Sequence, residues 1–178
     1  MSEILSGCAV RAAIQQEPIT RSALISPCGK YRYTLWRSWA PIAHDSKTAC
    51  WIMLNPSTAD AETDDNTIRK CIHYSKREGF QHLVVVNLYA YRSTDPAALW
   101  GLGAEEARGP ANFTHLVDAV TQTDIAICAW GNPGGPKAHA FLKTLGVTFW
   151  CLGTNKNGSP RHPLYLPKST PLVRWMPE

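Results

Sequence analysis

Four short apolar runs, each stopped by a turn-forming or polar group, constrain this chain more than any other feature. Residues 49–54 (ACWIML) stop at Asn55-Pro56-Ser57, and residues 83–86 (LVVV) stop at Asn87. Residues 125–129 (IAICA) stop at Trp130-Gly131-Asn132-Pro133, and residues 147–152 (VTFWCL) lead through a polar, Gly- and Asn-bearing loop to Arg161-His162-Pro163. Runs of this kind are the signature of strands buried on both faces, as in a parallel sheet covered by helices.

Helical periods separate the runs. A helix is predicted over residues 64–78: Thr63 or Asp64 caps it, acids crowd its first turn, basics its last, and Gly79 closes it. Pro110 opens a second helix in which Phe113, Leu116, Val117 and Val120 form one apolar stripe. Pro136 suits the first position of a third, with Ala138, Phe141, Leu142 and Leu145 on one face. Upstream, residues 31–39 (YRYTLWRSW) alternate as a half-exposed strand does, and pair as a hairpin with residues 23–27 across Cys28-Gly29-Lys30. Residues 1–25 show no clear period and read as a peripheral lead-in. The expectation is one α/β domain over residues 1–178, its core at about 30–167. Its architecture is a three-layer αβα sandwich around a central, mainly parallel four-stranded sheet, with an N-terminal β-hairpin.

Composition agrees. With 178 residues, 44% hydrophobic and 18% charged, the chain can bury one core, and wholesale disorder is excluded. The net charge of +4 is a mild basic bias, compatible with a polyanionic partner. No run approaches the roughly 20 apolar residues of a membrane span. Cys8, Cys28, Cys50, Cys71, Cys128 and Cys151 are far apart and form no C-x-x-C pair, so they read as reduced structural thiols of a cytoplasmic protein. Leu5-Ser6-Gly7-Cys8 spells a lipoprotein cleavage box, but it lacks the basic and apolar regions of a signal and is read as none. Cys71 and His73, two apart on a helix, do not share a face, and no P-loop or G-x-G-x-x-G is present. Neither metal nor cofactor is expected.

In an open parallel sheet, ligands bind outside the carboxyl ends of the strands. Asn55, Asn87, Trp130-Gly131 and His162 would all gather on that rim. Each has a backbone explanation alone, since turns favour such residues; their convergence argues for a site.

The segments WIMLNPSTAD, DDNTIRKCIHYSKREGF, VVVNLYAYRSTDP, CAWG and GSPRHPLYL, spanning nearly all of residues 30–167, resemble a bacterial and phage-borne family known only as a domain of unknown function. The same landmarks are similar, in order, to those of the uracil-DNA glycosylase superfamily. Asn55-Pro56-Ser57 resembles its water-positioning motif, Val84-Val85-Val86-Asn87 its base-reading strand, Ala129-Trp130-Gly131 its third-strand motif, and His162-Pro163-Leu164 its H-P-S-type motif.

That resemblance implies a cofactor-free, monofunctional DNA glycosylase acting on a flipped base. Asn87 would read the base edge through its carboxamide, His162 would donate to the departing base, and Asn55 would place the water. An amide is no base, so a nearby carboxylate (Asp60, Asp64 or Asp65, with Asp65 favoured) would assist, although helix capping also accounts for such residues. Ser57 stands where the uracil enzymes carry a bulky tyrosine, which implies a pyrimidine modified at carbon 5, such as a hypermodified phage base removed as antiviral defence. Thr58, Arg92, Asn155, Asn157 and Trp130 are further candidates for contacting the substrate. Lys156 and Arg161 would meet DNA phosphates, and Leu164 and Tyr165 would supply an apolar wedge. Arg69, Lys70, Lys76, Arg77 and Lys168 are weaker phosphate candidates. The expected partner is DNA, without a membrane or an obligate protein partner, and the chain is expected to be a monomer. Two rival readings are an N-glycoside hydrolase or transferase on free modified nucleotides and a non-catalytic binder of modified or abasic DNA. A third is a structural or regulatory domain on an inherited fold.

Overall fold

The computed structural model describes residues 19–57, 59–132 and 139–177. The strands are β1 (Thr20–Ile25), β2 (Arg32–Ser38), β3 (Thr48–Met53), β4 (His82–Asn87), β5 (Ile125–Cys128), β6 (Phe149–Cys151) and β7 (Val173–Trp175). The helices are α1 (Asn66–Arg77), α2 (Ala104–Arg108) and α3 (Asn112–Thr121), with 3-10 turns at Pro96–Gly101, Ala140–Leu145 and Pro163–Tyr165. The fold is mixed α/β around one sheet of order β1-β2-β4-β3-β5-β6-β7.

One sheet of seven strands stands where a four-stranded sheet and an N-terminal hairpin were expected. β4, β3, β5 and β6 run parallel, whereas β2, β1 and β7 add antiparallel edges. The hairpin of β1 and β2 forms as anticipated but begins at Thr20, within what read as a peripheral lead-in; the rest of that lead-in, with Cys8, lies outside the described residues. The helix expected from Pro136 is also corrected. Pro136 and Ala138 lie outside the described residues, and Phe141, Leu142 and Leu145 belong to the 3-10 turn Ala140–Leu145 rather than to an α-helix.

Alternation along the parallel strands places side chains on both faces. Ala49, Trp51, Met53, Leu83, Val85 and Ile127 pack with Ile68, Cys71, Ile72 and Tyr74 of α1 on one side. Cys50, Ile52, Val84, Val86, Ala126 and Cys128 pack with Leu116 and Val120 of α3 on the other. The chain passes from β3 through α1 to β4 on one flank, then through α3 back across to β5 on the other. This reversal beside β3 is a topological switch point, which opens a crevice at the strand's carboxyl end. Trp51 and Trp39 are structural: their indole N–H groups donate to Ser75 Oγ (2.9 Å) and to the Phe80 carbonyl (3.0 Å). Trp36 stacks on His82 at 5.4 Å. Cys50, Cys71, Cys128 and Cys151 are buried free thiols, and Cys28 is exposed.

Arg37 of β2 pins the loop ahead of α1. Fully buried, it donates from Nε to Asp64 Oδ1 at 2.6 Å and from Nη2 to the Asp60 carbonyl at 2.7 Å. Removing one member of a buried pair strands the other charge. Asp64→Asn is therefore expected to cost about 3–5 kcal/mol, read as a lower urea midpoint at unchanged slope.

Candidate active site

The carboxyl ends of β4, β3 and β5 open into a cavity of about 500 Å³. Its walls include Asn55, Ser57, Asp65, Asn87, Trp130, Asn155, Arg161, His162, Leu164 and Tyr165, all singled out in the sequence. Parallel pairing brings them together. Met53 is in register with Asn87, and Ile52 with both Val86 and Cys128, so the strands end at one level.

Asn87 is the last residue of β4 and is fully buried. Neither its Nδ2 nor its Oδ1 has a hydrogen-bond partner among the described residues. An orphaned buried polar group costs about 1–3 kcal/mol, so an amide with both ends bare is a large expense for a core strand to carry. Its backbone is fixed nonetheless: the buried Asn112 donates through Nδ2 to the Asn87 carbonyl at 2.9 Å, a role that nothing in the sequence pattern marks.

Asn55 follows β3 by two residues. Its Nδ2 donates to the Ser93 carbonyl at 2.8 Å and the Pro56 carbonyl at 3.2 Å. With the NH2 group engaged, Oδ1 is the end left to accept a hydrogen bond.

The three candidate carboxylates separate cleanly. Asp60 Oδ1 accepts from the Glu62 and Thr63 amides, both at 2.9 Å. Asp64 pairs with Arg37 and, at 3.5 Å, with Arg21. Only Asp65 of the three lines the cavity. It is also the true cap of α1, its Oδ1 accepting from the Ile68 N–H at 2.8 Å, so the helix begins later than Thr63 or Asp64 would set it.

His162 caps the last 3-10 turn, and its Nδ1 accepts from the Leu164 amide at 3.3 Å. That bond assigns the tautomer: in the neutral ring the proton sits on Nε2, making that atom a donor. Burial holds the imidazole pKa below its ordinary value, with the charge of Asp65 opposing. The Tyr165 ring lies 5.7 Å from it and is 80% exposed, while Leu164 is half-buried.

Gly131 explains the sequence Trp-Gly. Its φ is +79°, and a Cβ there would lie 3.1 Å from the His162 Cβ. Gly131→Ala is expected to lose about 1–2 kcal/mol from the left-handed backbone alone, measured by urea unfolding, and to push His162 from its seat.

Several of the expected residues lie apart from this cavity or outside the described residues. Arg92 does not line this cavity; it lines an adjoining one of about 490 Å³ that shares Ser57, Ser93 and Thr94 with the first. Lys156 is exposed and outside both, and Asn157 donates to Asn132 Oδ1 at 2.8 Å. Thr58 lies outside the described residues. Two helix basics serve the protein itself: Lys70 Nζ donates to the Leu166 carbonyl and Arg77 Nη1 to the Lys168 carbonyl at 2.7 Å, holding the C-terminal segment on α1. Sequence reasoning missed Arg32, which lines the cavity while only 2% exposed. Among the described residues, no cluster of three His, Cys, Asp or Glu is placed to hold a metal, and no helix is long and apolar enough to cross a membrane.

The class this defines is a mixed α/β fold with a largely apolar cavity, carrying a few polar groups, at the carboxyl ends of its parallel strands, the place and form that small-ligand pockets usually take. Residues 32–164 match the family model described as "Protein of unknown function (DUF1643)", and the chain belongs to that family. The expected family of unknown function over residues 30–167 is thereby met. No curated protein matches the chain significantly.

Proposed function

We propose that this protein is a monofunctional DNA glycosylase that hydrolyses the N-glycosidic bond of a flipped-out pyrimidine modified at carbon 5. It would act in the cytoplasm as a monomer and leave an abasic site. On this reading the two covered faces and the parallel centre of the sheet form the three-layer sandwich of the uracil-DNA glycosylase superfamily. The observation that carries it is Asn87: a buried carboxamide, bare at both ends among the described residues, in a cavity of about 500 Å³, ample for a base. A donor and an acceptor side by side complement the edge of a base.

The remaining roles rest on position. His162 Nε2–H donates to the base oxygen on which charge accumulates as the bond breaks. A neutral donor supplies that stabilisation without a net proton transfer. Asn55 Oδ1 accepts from the attacking water, and the free oxygen of Asp65 is the cavity carboxylate available to take its proton. Ser57, small and on the wall shared with the second cavity, leaves room for a carbon-5 substituent. Tyr165 and Leu164 at the rim suit a wedge into the duplex, and the exposed Arg161 beside them suits a phosphate.

The test is a glycosylase assay on unmodified, uracil-containing and phage hypermodified genomic DNAs, with alkali cleavage to reveal abasic sites. Cleavage of one modified DNA by the parent, sharply lowered in Asn55→Ala and His162→Ala, is expected. Absence of abasic sites on every DNA would sink the proposal and turn attention to free nucleotides.

A further inference from the structure

One cation in the cavity wall has no part in the excision chemistry. Arg32 opens β2 and is almost wholly buried. Its backbone N–H donates to the Ala90 carbonyl at 3.0 Å and its Nη1 to the Ala59 carbonyl, while its Nε has no partner among the described residues. It forms no ion pair among those residues either, whereas the other buried arginine of the strand, Arg37, is paired with Asp64. The charge of Asp65 favours the protonated form and those of Arg92 and Arg37 oppose it. Burial lowers the Arg32 pKa to about 10, which still leaves the guanidinium charged at neutral pH.

A buried charge without a direct counter-charge is costly, and folds retain one where a ligand completes it. The complement of a guanidinium is an oxyanion, gripped by two parallel N–H groups. The adjoining cavity adds to this field. Arg92 lines it, with its own Nε buried and unpartnered among the described residues, and Lys30 lines it too. The two cavities meet at Ser57, Ser93 and Thr94, so guanidinium groups stand on both sides of that wall.

We infer that Arg32 is the anion-binding residue of the cavity, and that the ligand seated against Asn87 carries a phosphoryl or carboxylate group. This deepens the glycosylase reading by naming the charge of the substrate and rests on that reading for the base alone; the subsite is testable without excision. The oxyanion has two sources, a phosphate of the nucleotide or an acidic substituent on the base.

The experiment titrates the full chain calorimetrically with deoxycytidine, 2′-deoxycytidine 5′-monophosphate and 5-carboxy-deoxycytidine in chloride buffer. At least one charged probe is expected to bind ten-fold or more tighter than deoxycytidine. Preference for the monophosphate assigns the anion to the nucleotide, and preference for the carboxy nucleoside assigns it to the base. Arg32→Gln is expected to erase the preference, and Arg32→Lys to restore part of it. Equal binding of charged and neutral probes by the parent, or binding of none, overturns the inference without recourse to any variant. An undiminished preference in Arg32→Gln overturns it as well. Anion preference without base excision would remove the glycosylase reading and leave the subsite standing; excision without anion preference would do the reverse.

Discussion

An Asn87→Leu protein is expected to be more stable than its parent by about 1–3 kcal/mol and to excise nothing. Most substitutions in a buried strand lower stability, because they open a hole or strand a polar group. Asn87 reverses the sign because its two polar atoms are already stranded. Leucine has nearly the same bulk, and its methyl groups would face Met53, Leu54, Val85 and Ile68 across the cavity wall. The desolvation cost of the amide is removed, and the hydrogen bond from Asn112 to the Asn87 carbonyl is backbone-directed and survives. Urea unfolding checks the first half: the midpoint should rise with the slope unchanged. The excision assay checks the second. A less stable leucine variant would mean that the amide is structural, and the view of Asn87 as a ligand group held in waiting would fall with it. Gains of this kind at a functional position are the expected trade between stability and activity.

What the sequence disclosed and what it concealed divide along physical lines. Buried parallel strands must be apolar on both faces, so residues 49–54, 83–86, 125–129 and 147–152 announced themselves, and the residue that stops each run sits on the rim by geometry alone. This is why Asn55, Asn87 and Trp130 were legible together, while His162, ten residues beyond the last run, reaches the same cavity through a loop. β7 was not: Val-Arg-Trp is three residues long, near two prolines, and has no period to show. Arg32 and Arg37 were hidden for a different reason. In YRYTLWRSW they stand five apart and so on opposite faces by alternation, Arg32 among the polar positions and Arg37 in the row of Tyr33 and Leu35, and a polar residue reads alike whether it meets water, a carboxylate or a ligand. Asp60, Asp64 and Asp65 were inseparable in sequence because a shift of one or two residues exchanges a cap, an ion pair and a cavity wall. Lys156 and Arg92 belong to loops, whose courses no periodicity encodes.

His162→Ala is expected to lower excision about 100- to 1000-fold, the effect of deleting one preorganised donor aimed at developing charge. The pH profile distinguishes this role from mere packing. In the neutral ring, Nδ1 accepts the Leu164 amide and Nε2 carries the donated proton. Protonation would put a second proton on Nδ1, facing that N–H and breaking the cap. Burial lowers the folded-state pKa below the ordinary value, so the neutral ring, seated by its Nδ1 acceptor, persists through neutrality, and the seating is lost only on the acid side of about pH 6.5. The stability linkage has the same direction. Between the lowered folded pKa and the ordinary unfolded one, the unfolded chain holds more protons, so the folded state loses stability as pH falls through that window and keeps it above. His82, also lowered by burial and bonded through Nδ1 to Ser38 Oγ at 2.8 Å, adds a similar loss. The His162→Ala protein should therefore retain part of the acid sensitivity of unfolding, from His82. Its residual excision should lose the acid limb that the histidine sets altogether. An acid limb unchanged in His162→Ala would assign that proton to another group and remove the histidine from the donor role.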